Sequence, residues 1–154
     1  MRIGFYAGSF DPFTEGHLHV VKTAAGICEK IVIGIGINPN KVGRYDKDIM
    51  KVAIEKVLER EKLSNVIVVS YDGLTTDAAI ENGATILISG LRNVMDYDYK
   101  EILAQVNQEV SGMDTIYIRA GSLGSVSSSL VMDLLKAGKD VSAYVPMEVL
   151  EILK

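Results

Sequence analysis

The chain has 154 residues, a length that fits one domain spanning residues 1–154 and buries enough apolar surface for a stable core without crosslinks or a structural metal. Apolar residues make up 48% of the sequence and charged residues 23%, which excludes a disordered chain. The formal net charge of −4 argues against general affinity for nucleic acid, because binding to its phosphates requires a clustered basic face.

Cysteine content and hydropathy exclude further classes of protein. The single cysteine, Cys28, excludes an internal disulfide and a cysteine-rich metal site, and its apolar neighbours predict a buried thiol. The opening segment "MRIGFYAGSF" is not expected to be an export signal, because its apolar run is short and is interrupted by glycine. No stretch approaches the roughly 18 apolar residues of a membrane-spanning helix. We therefore expect a cytoplasmic protein that binds neither membranes nor nucleic acid.

Short apolar runs alternate with longer amphipathic segments along the chain. In chain order they predict strand 2–6, helix 17–28, strand 30–37, helix 46–62, strand 65–71, helix 75–82, strand 84–89, helix 95–111, strand 114–120, helix 127–138 and a last helix over 146–154. The expected N-caps are Asp46 or Asp48 for the second helix, a threonine for the third and a serine for the fifth. Pro146 is expected near the first position of the last helix.

This alternation, with its short connections, predicts the class of the fold. It favours a Rossmann-like α/β fold, a doubly wound sheet of five parallel strands with helices on both faces. In such sheets, ligands bind beyond the carboxyl ends of the strands. The candidate functional loops are therefore the segments that follow the strands: 7–16, 38–45, 72–75, 89–94 and 120–127.

The first of these loops, "GSFDPFTEGH" over residues 8–17, holds more special residues than a plain turn needs. Glycines let the backbone approach a ligand closely, and the start of the next helix offers free N–H donors and the positive end of its dipole. His17, in the first turn of that helix, is placed to donate to a phosphate oxygen and to stabilise the charge that develops when phosphorus is attacked. The loop therefore predicts a phosphate-binding site.

Several short motifs resemble those of one enzyme family. "TEGH" (14–17), preceded by "GSFDP", resembles the T/HxGH motif of the nucleotidyltransferase superfamily. "NPNK" (38–41), "SGLR" (89–92), "DYDY" (96–99) and "VSSS" (126–129) are similar, at matching spacing, to motifs of its phosphopantetheine adenylyltransferase family. The resemblance spans nearly the whole chain and implies the nucleotidyltransferase fold.

The resemblance implies an activity and a set of site residues. The activity is transfer of the adenylyl group of ATP to 4′-phosphopantetheine, giving dephospho-coenzyme A and pyrophosphate by in-line attack without a covalent intermediate. The implied catalytic residues are His17, which stabilises the transition state, and Lys41, which holds the acceptor phosphate beside the α-phosphate. The implied ATP-binding residues are Ser9, Phe10, His17, Gly90, Leu91, Arg92, Ser127, Ser128 and Ser129. The implied acceptor-binding residues are Ser9, Lys41, Thr75, Ser89 and Asn107.

General chemistry supports these roles, because phosphoryl-type transfer needs positioning and charge neutralisation more than covalent help. Lys41, Arg92 and two helix starts supply both, although each of these residues taken singly is typical of a surface charge or an ordinary cap. Mg²⁺ is expected to arrive on the ATP phosphates, with no ligands from the protein. The resemblance also implies a homo-oligomer, a hexamer in this family.

Three positions depart from the family pattern. Ser89 replaces an arginine that grips the acceptor phosphate, Lys100 replaces a glutamate near the nucleotide, and Gly124 stands where an aromatic residue is usual. Loss of one charge-assisted hydrogen bond weakens binding by about 10- to 150-fold. One hypothesis is that Arg44 or Lys100 restores the phosphate contact.

Two alternatives to this enzyme stay open at the level of sequence. A sibling nucleotidyltransferase with the same core would use CTP or act on another phosphorylated acceptor, and Ser89 and Gly124 favour it. A nucleotide-binding regulator without catalysis is disfavoured, because a binding protein has no need of His17.

Overall fold

The computed structural model describes residues 1–40, 42–121 and 127–153. Its elements, in chain order, are β1 (Ile3–Gly8), α1 (Glu15–Ile27), β2 (Lys30–Gly36), α2 (Lys47–Arg60), β3 (Val66–Tyr71), α3 (Thr75–Glu81), β4 (Ile86–Leu91), α4 (Val94–Ser111), β5 (Thr115–Arg119), α5 (Ser128–Lys136) and α6 (Met147–Leu150). Within these ranges no helix combines the length and the apolar character needed to cross a membrane.

The five strands form one parallel sheet in the order β3-β2-β1-β4-β5. The chain moves outward from β1 to β3 on one side and then crosses to β4 and β5 on the other, so the strand order reverses between β1 and β4. Loops at such a reversal diverge and leave a crevice at the carboxyl ends of the strands. The predicted fold class is confirmed, and its central strand leads into the "GSFDPFTEGH" loop.

Helices cover the sheet on both faces, so the central strands are apolar along almost their whole length. On one face, Ile31, Ile33 and Ile35 of β2 belong to the larger core cluster, with side chains from α1, α2, α5 and α6. On the other face, Phe5 and Val32 pack in a smaller cluster with alanines of α3. Cys28 is buried in the larger cluster, as the sequence predicts.

Several predicted boundaries change, and strand pairing accounts for the extension of β1 and β4. β4 runs to Leu91 instead of residue 89, since Ser89, Gly90 and Leu91 pair in register with Tyr117, Ile118 and Arg119 of β5. β1 likewise extends to Gly8, which pairs with Ile35 of β2. The last helix is shorter than predicted and ends at Leu150.

Two of the three predicted types of cap are confirmed. Asp46 accepts from two backbone N–H groups at the start of α2, and Ser127 accepts from Leu130 N at the start of α5. The predicted threonine cap of α3 is wrong. Its N-cap is Leu74, and the hydroxyl of Thr75 instead forms a hydrogen bond of 2.8 Å with the hydroxyl of Tyr71, four residues earlier at the end of β3.

Candidate active site

His17 is held by a reciprocal pair of hydrogen bonds at the start of α1. The hydroxyl of Thr14, the N-cap, accepts from His17 N at 3.2 Å, and His17 Nδ1 accepts from Thr14 N at 2.9 Å. With Nδ1 acting as an acceptor, the ring carries its proton on Nε2. The local sequence "TEGH" therefore fixes both the orientation of the ring and the nitrogen that donates.

The surroundings of His17 keep its ring neutral. Burial lowers its pKa to about 3, and the positive charges of Lys100 and Arg92 act in the same direction. The ring lies edge-on to Phe10, with centroids 4.9 Å apart, and 5.5 Å from Phe13. A neutral imidazole donates a hydrogen bond at any pH near 7 but carries no charge of its own.

Phe10 shapes the loop in front of His17. It has a left-handed backbone conformation, with φ of 46°, and its side chain is only 2% exposed. A Cβ on Gly8 would lie 3.0 Å from the Phe10 ring, so glycine is needed there to let the ring fold back under the loop. The side chain of Phe10 thus supports His17, and Phe10 is also one of the residues that line the cavity described below.

The β2–α2 loop is tied to the first loop through Asp11. The buried carboxylate of Asp11 accepts from Arg44 N at 2.6 Å and from Tyr45 N at 3.0 Å. The guanidinium of Arg44 donates to Asp11 O at 2.8 Å and to Ser129 Oγ at 3.2 Å. Lys47 Nζ donates to Ser9 O at 3.1 Å. Two cations are thereby placed beside the first loop.

The start of α5 lies against the same loop. Ser128 Oγ donates to Pro12 O at 2.7 Å, and Ser129 Oγ accepts from Arg44. Ser127 Oγ caps the helix at Leu130 N, 3.0 Å away. The three hydroxyls therefore hold the helix start in place, and the first backbone N–H groups of α5 are the donors available to an anion.

A second charged group occupies the β4–α4 corner, which we define as residues 89–100. The carboxylate of Asp96 lies 3.5 Å from Arg92 Nη2 and 3.3 Å from Lys100 Nζ, and it accepts from Arg92 N at 3.0 Å. Lys100 Nζ also donates to Gly90 O. Burial acts to raise the pKa of Asp96, but the backbone hydrogen bond from Arg92 and the two positive charges outweigh it and hold this pKa below its usual value.

Most of these residues line one cavity of about 770 Å³ at the carboxyl ends of the strands, and Asp96 contacts two of the lining residues, Arg92 and Lys100. This volume falls within the range of small-molecule sites. The cavity lies where the strand order reverses, between the loop after β2 and the corner after β4. It combines a neutral histidine, two helix starts and several cations, a set of groups suited to binding phosphates.

Comparison with known proteins identifies the family. Residues 5–134 match the sequence model of the cytidylyltransferase-like family. The phosphopantetheine adenylyltransferase of Allorhizobium ampelinum is 39% identical to this chain, and the alignment covers 100% of this chain and 97% of that relative. The enzyme of the same name from Phocaeicola vulgatus is 40% identical, with 95% of this chain and 96% of the relative covered. The one from Streptococcus pneumoniae is 39% identical, with 99% and 95% covered. The chain belongs to the phosphopantetheine adenylyltransferase family. The sequence-based prediction of a nucleotidyltransferase is confirmed.

Solved structures support the fold of this family member. The chain matches a putative nicotinate-nucleotide adenylyltransferase from Vibrio parahaemolyticus with a TM-score of 0.71 and 18% identity, covering all of both chains. It also matches a bifunctional NMN adenylyltransferase/ADP-ribose pyrophosphatase from Francisella tularensis with a TM-score of 0.70 and 18% identity, covering 94% of this chain and 44% of that one.

Most of the predicted site residues lie together. Those lining the cavity are Ser9, Phe10, His17, Ser89, Gly90, Arg92, Ser127, Ser128 and Ser129. Leu91, Thr75 and Asn107 are not among its lining residues: Leu91 is paired in the sheet, Thr75 bonds to Tyr71, and Asn107 lies on α4 with its carbonyl bonded to Ser111 Oγ. Lys41 and Gly124 lie outside the described residues, and the roles assigned to the site residues stay predictions.

Sequence reasoning missed three charged residues of the cavity region: Asp11, Lys47 and Asp96. Lys47 had a detectable signal, because a lysine in the first turn of a helix opposes the helix dipole and needs a partner elsewhere. Asp11 and Asp96 belong to the "GSFDP" and "DYDY" motifs, but the sequence does not indicate their contacts, since their partners are backbone groups and side chains whose positions depend on the fold.

Proposed function

We propose that the protein transfers the adenylyl group of ATP to the phosphate of 4′-phosphopantetheine, giving dephospho-coenzyme A and pyrophosphate. The observation that carries this proposal is His17, oriented by Thr14 and kept neutral, in a cavity lined with cations on two sides. The identity of about 40% with phosphopantetheine adenylyltransferases over nearly the whole chain supports the choice of substrates.

The reaction needs orientation and charge neutralisation more than a nucleophile from the protein. A phosphate oxygen of the acceptor attacks the α-phosphorus of ATP, and the bond from the α-phosphorus to the oxygen that bridges to the β-phosphorus breaks, releasing pyrophosphate. His17 Nε2–H donates to a non-bridging oxygen of the α-phosphate, where negative charge increases in the transition state. Because the ring is neutral, it acts as a hydrogen-bond donor and does not transfer its proton.

The start of α5 is the proposed site of the ATP triphosphate. Its free backbone N–H groups and the positive end of its dipole attract an anion. Arg44, bonded to Ser129, adds a cation directly at this helix start, and Lys47 adds another beside Ser9. The triphosphate would then reach from α5 towards His17 across the first loop.

Mg²⁺ is proposed to enter with the nucleotide. Among the described residues no group of three or more histidine, cysteine or acidic side chains is placed to hold a metal. The carboxylates of Asp11 and Asp96 are already engaged by backbone N–H groups or cations. The donor set therefore fits a metal bound mainly by phosphate oxygens, which would neutralise charge on the leaving pyrophosphate.

We also propose that the chain self-associates through α4. None of the 18 residues of this helix is buried, although Met95, Tyr99, Ile102, Leu103, Val106 and Val110 form an apolar stripe at helical spacing. Met95 is 85% and Ile102 64% exposed. Sedimentation should show an oligomer that Ile102→Glu dissociates and Gln105→Glu, on the polar side of the same helix, leaves intact. A monomeric wild-type chain would contradict this proposal, and the hexamer stays an expectation from the resemblance.

The test of the activity is pyrophosphate release with Mg²⁺ and either ATP or CTP, with and without 4′-phosphopantetheine. Release should require ATP and this acceptor, and should collapse in His17→Ala. The matched control is His19→Ala, because His19 is exposed and does not line the cavity. Pyrophosphate release with CTP but not with ATP, or with another phosphorylated acceptor but not with 4′-phosphopantetheine, would refute the proposed substrates. The expected single domain and cytoplasmic location stay predictions.

A further inference from the structure

The part of the β4–α4 corner that faces the cavity holds more positive than negative charge, because the corner's second carboxylate, Asp98, is exposed and does not line the cavity. Arg92 and Lys100 share the single carboxylate of Asp96, whose side chain is only 8% exposed. Lys100 is 29% exposed and extends from α4 over the end of β4 to the carbonyl of Gly90. The corner therefore presents one excess positive charge to the cavity, next to Ser89, which supplies none.

Lys100 retains capacity to bind a ligand. An ammonium group has three N–H donors, and the described residues provide two acceptors, Gly90 O and a carboxylate oxygen of Asp96. Burial lowers the pKa of Lys100 by more than the neighbouring Asp96 carboxylate raises it. An anion in the cavity would supply an acceptor for the third N–H group.

Among the described residues, the other cations that line the cavity, Arg44 and Lys47, lie on the opposite side. The sheet order places the loop after β2 and the corner after β4 on either side of β1. Arg44 is bonded to Asp11 and Ser129, and Lys47 to Ser9, so both belong to the first loop and the start of α5. The cavity thus has two separate cationic sides, and a reaction between two phosphate groups requires one for each reactant.

We propose that Lys100 binds the phosphate monoester of the acceptor and makes the enzyme prefer a phosphorylated to a dephosphorylated acceptor. The inference rests on the proposed function. The α5 side suits the longer triphosphate, because it offers backbone N–H groups as well as Arg44. The β4–α4 corner is left for the single acceptor phosphate, with Asp96 holding the Lys100 ammonium near Gly90 and the Ser89 hydroxyl at the same edge. A lysine ammonium binds a phosphate as a point charge.

The test compares two acceptors that differ only in the phosphate, 4′-phosphopantetheine and pantetheine, by titration calorimetry with the whole protein. Lys100→Met, which keeps the aliphatic stem, should weaken binding of 4′-phosphopantetheine by about 10- to 150-fold and leave pantetheine unchanged. Lys100→Arg, which keeps the charge, should retain most of the preference. Binding of ATP should change little in either variant.

Two further variants serve as matched controls. Arg44→Met removes a cation from the α5 side. It should weaken the binding of ATP and leave the preference for the phosphorylated acceptor intact. Lys56→Met removes an exposed lysine of α2 and should change neither. Melting temperatures of all variants show whether the fold is retained, and Lys100→Gln replaces Lys100→Met if the latter fails to fold.

The outcomes separate the inference from the proposed function. If wild-type protein does not distinguish 4′-phosphopantetheine from pantetheine, both the proposed function and the inference fail. If it does distinguish them and Lys100→Met distinguishes them equally well, only the inference fails. The inference would also fail if Lys100→Met weakened only the binding of ATP, or weakened the binding of both acceptors to the same extent.

Discussion

Replacement of His17 by asparagine separates its two hydrogen bonds. Oδ1 of an asparagine occupies about the position of Nδ1 and can still accept from Thr14 N, so the start of α1 should be retained. The donor at Nε2 is lost, because asparagine does not reach that far. His17→Gln is the matched variant, since its amide extends to about the position of Nε2 and can donate there.

The expected effect is on kcat. Removing one preorganised donor from a developing oxyanion lowers kcat by about 100- to 1000-fold. His17→Gln should recover part of this loss. Because the pKa of His17 is about 3, the wild-type kcat should show no histidine ionisation between about pH 5 and 8.

The assay is pyrophosphate release at saturating ATP, 4′-phosphopantetheine and Mg²⁺ over this pH range. A kcat of His17→Asn within about threefold of wild type would refute the role of the donor, since this corresponds to less than 1 kcal/mol of the barrier. A wild-type limb near pH 6.5 that disappears in His17→Asn would refute the neutral ring, because it would show an ordinary histidine pKa.

Three further predictions concern stability, measured by urea unfolding. Below pH 6.5 His17 is protonated in the unfolded chain but not in the folded one, because its folded pKa is about 3. Between pH 7 and 5 the free energy of unfolding of wild type should therefore fall by up to about 2 kcal/mol more than that of His17→Asn. Equal falls would contradict the lowered pKa. Gly34→Ala should lower the free energy of unfolding by about 1–3 kcal/mol, because the new Cβ would lie 2.3 Å from Phe5 Cζ. Gly26→Ala, whose Cβ would have no atom within 4 Å, should stabilise α1 by about 0.5–1 kcal/mol. A similar effect of both substitutions would refute the packing argument. Asp46→Ala should cost about 0.5–2 kcal/mol through loss of the α2 cap, and an unchanged stability would show that this cap is dispensable.

Local interactions explain why so much of the fold was predictable. Apolar periodicity located every strand and helix of the described chain, since it reflects which face of each element is buried. The caps at Asp46 and Ser127 were predictable because the side chain and the N–H groups it binds are neighbours in sequence. The predicted threonine cap of α3 was wrong because the hydroxyl of Thr75 bonds to a residue of the preceding strand, Tyr71, and not to the start of its own helix.

The sequence by itself determined the class of the fold, the edge of the sheet that carries the site and the orientation of His17, because each depends on periodicity or on residues within a few positions. Only the tertiary structure decided where the cations act. Arg44 and Lys100 were equal candidates for the missing phosphate contact in the sequence, yet Arg44 bonds to Ser129, 85 residues away, while Lys100 reaches the end of β4. The partner of a long charged side chain depends on which strands are adjacent, and strand order arises from packing of the whole sheet.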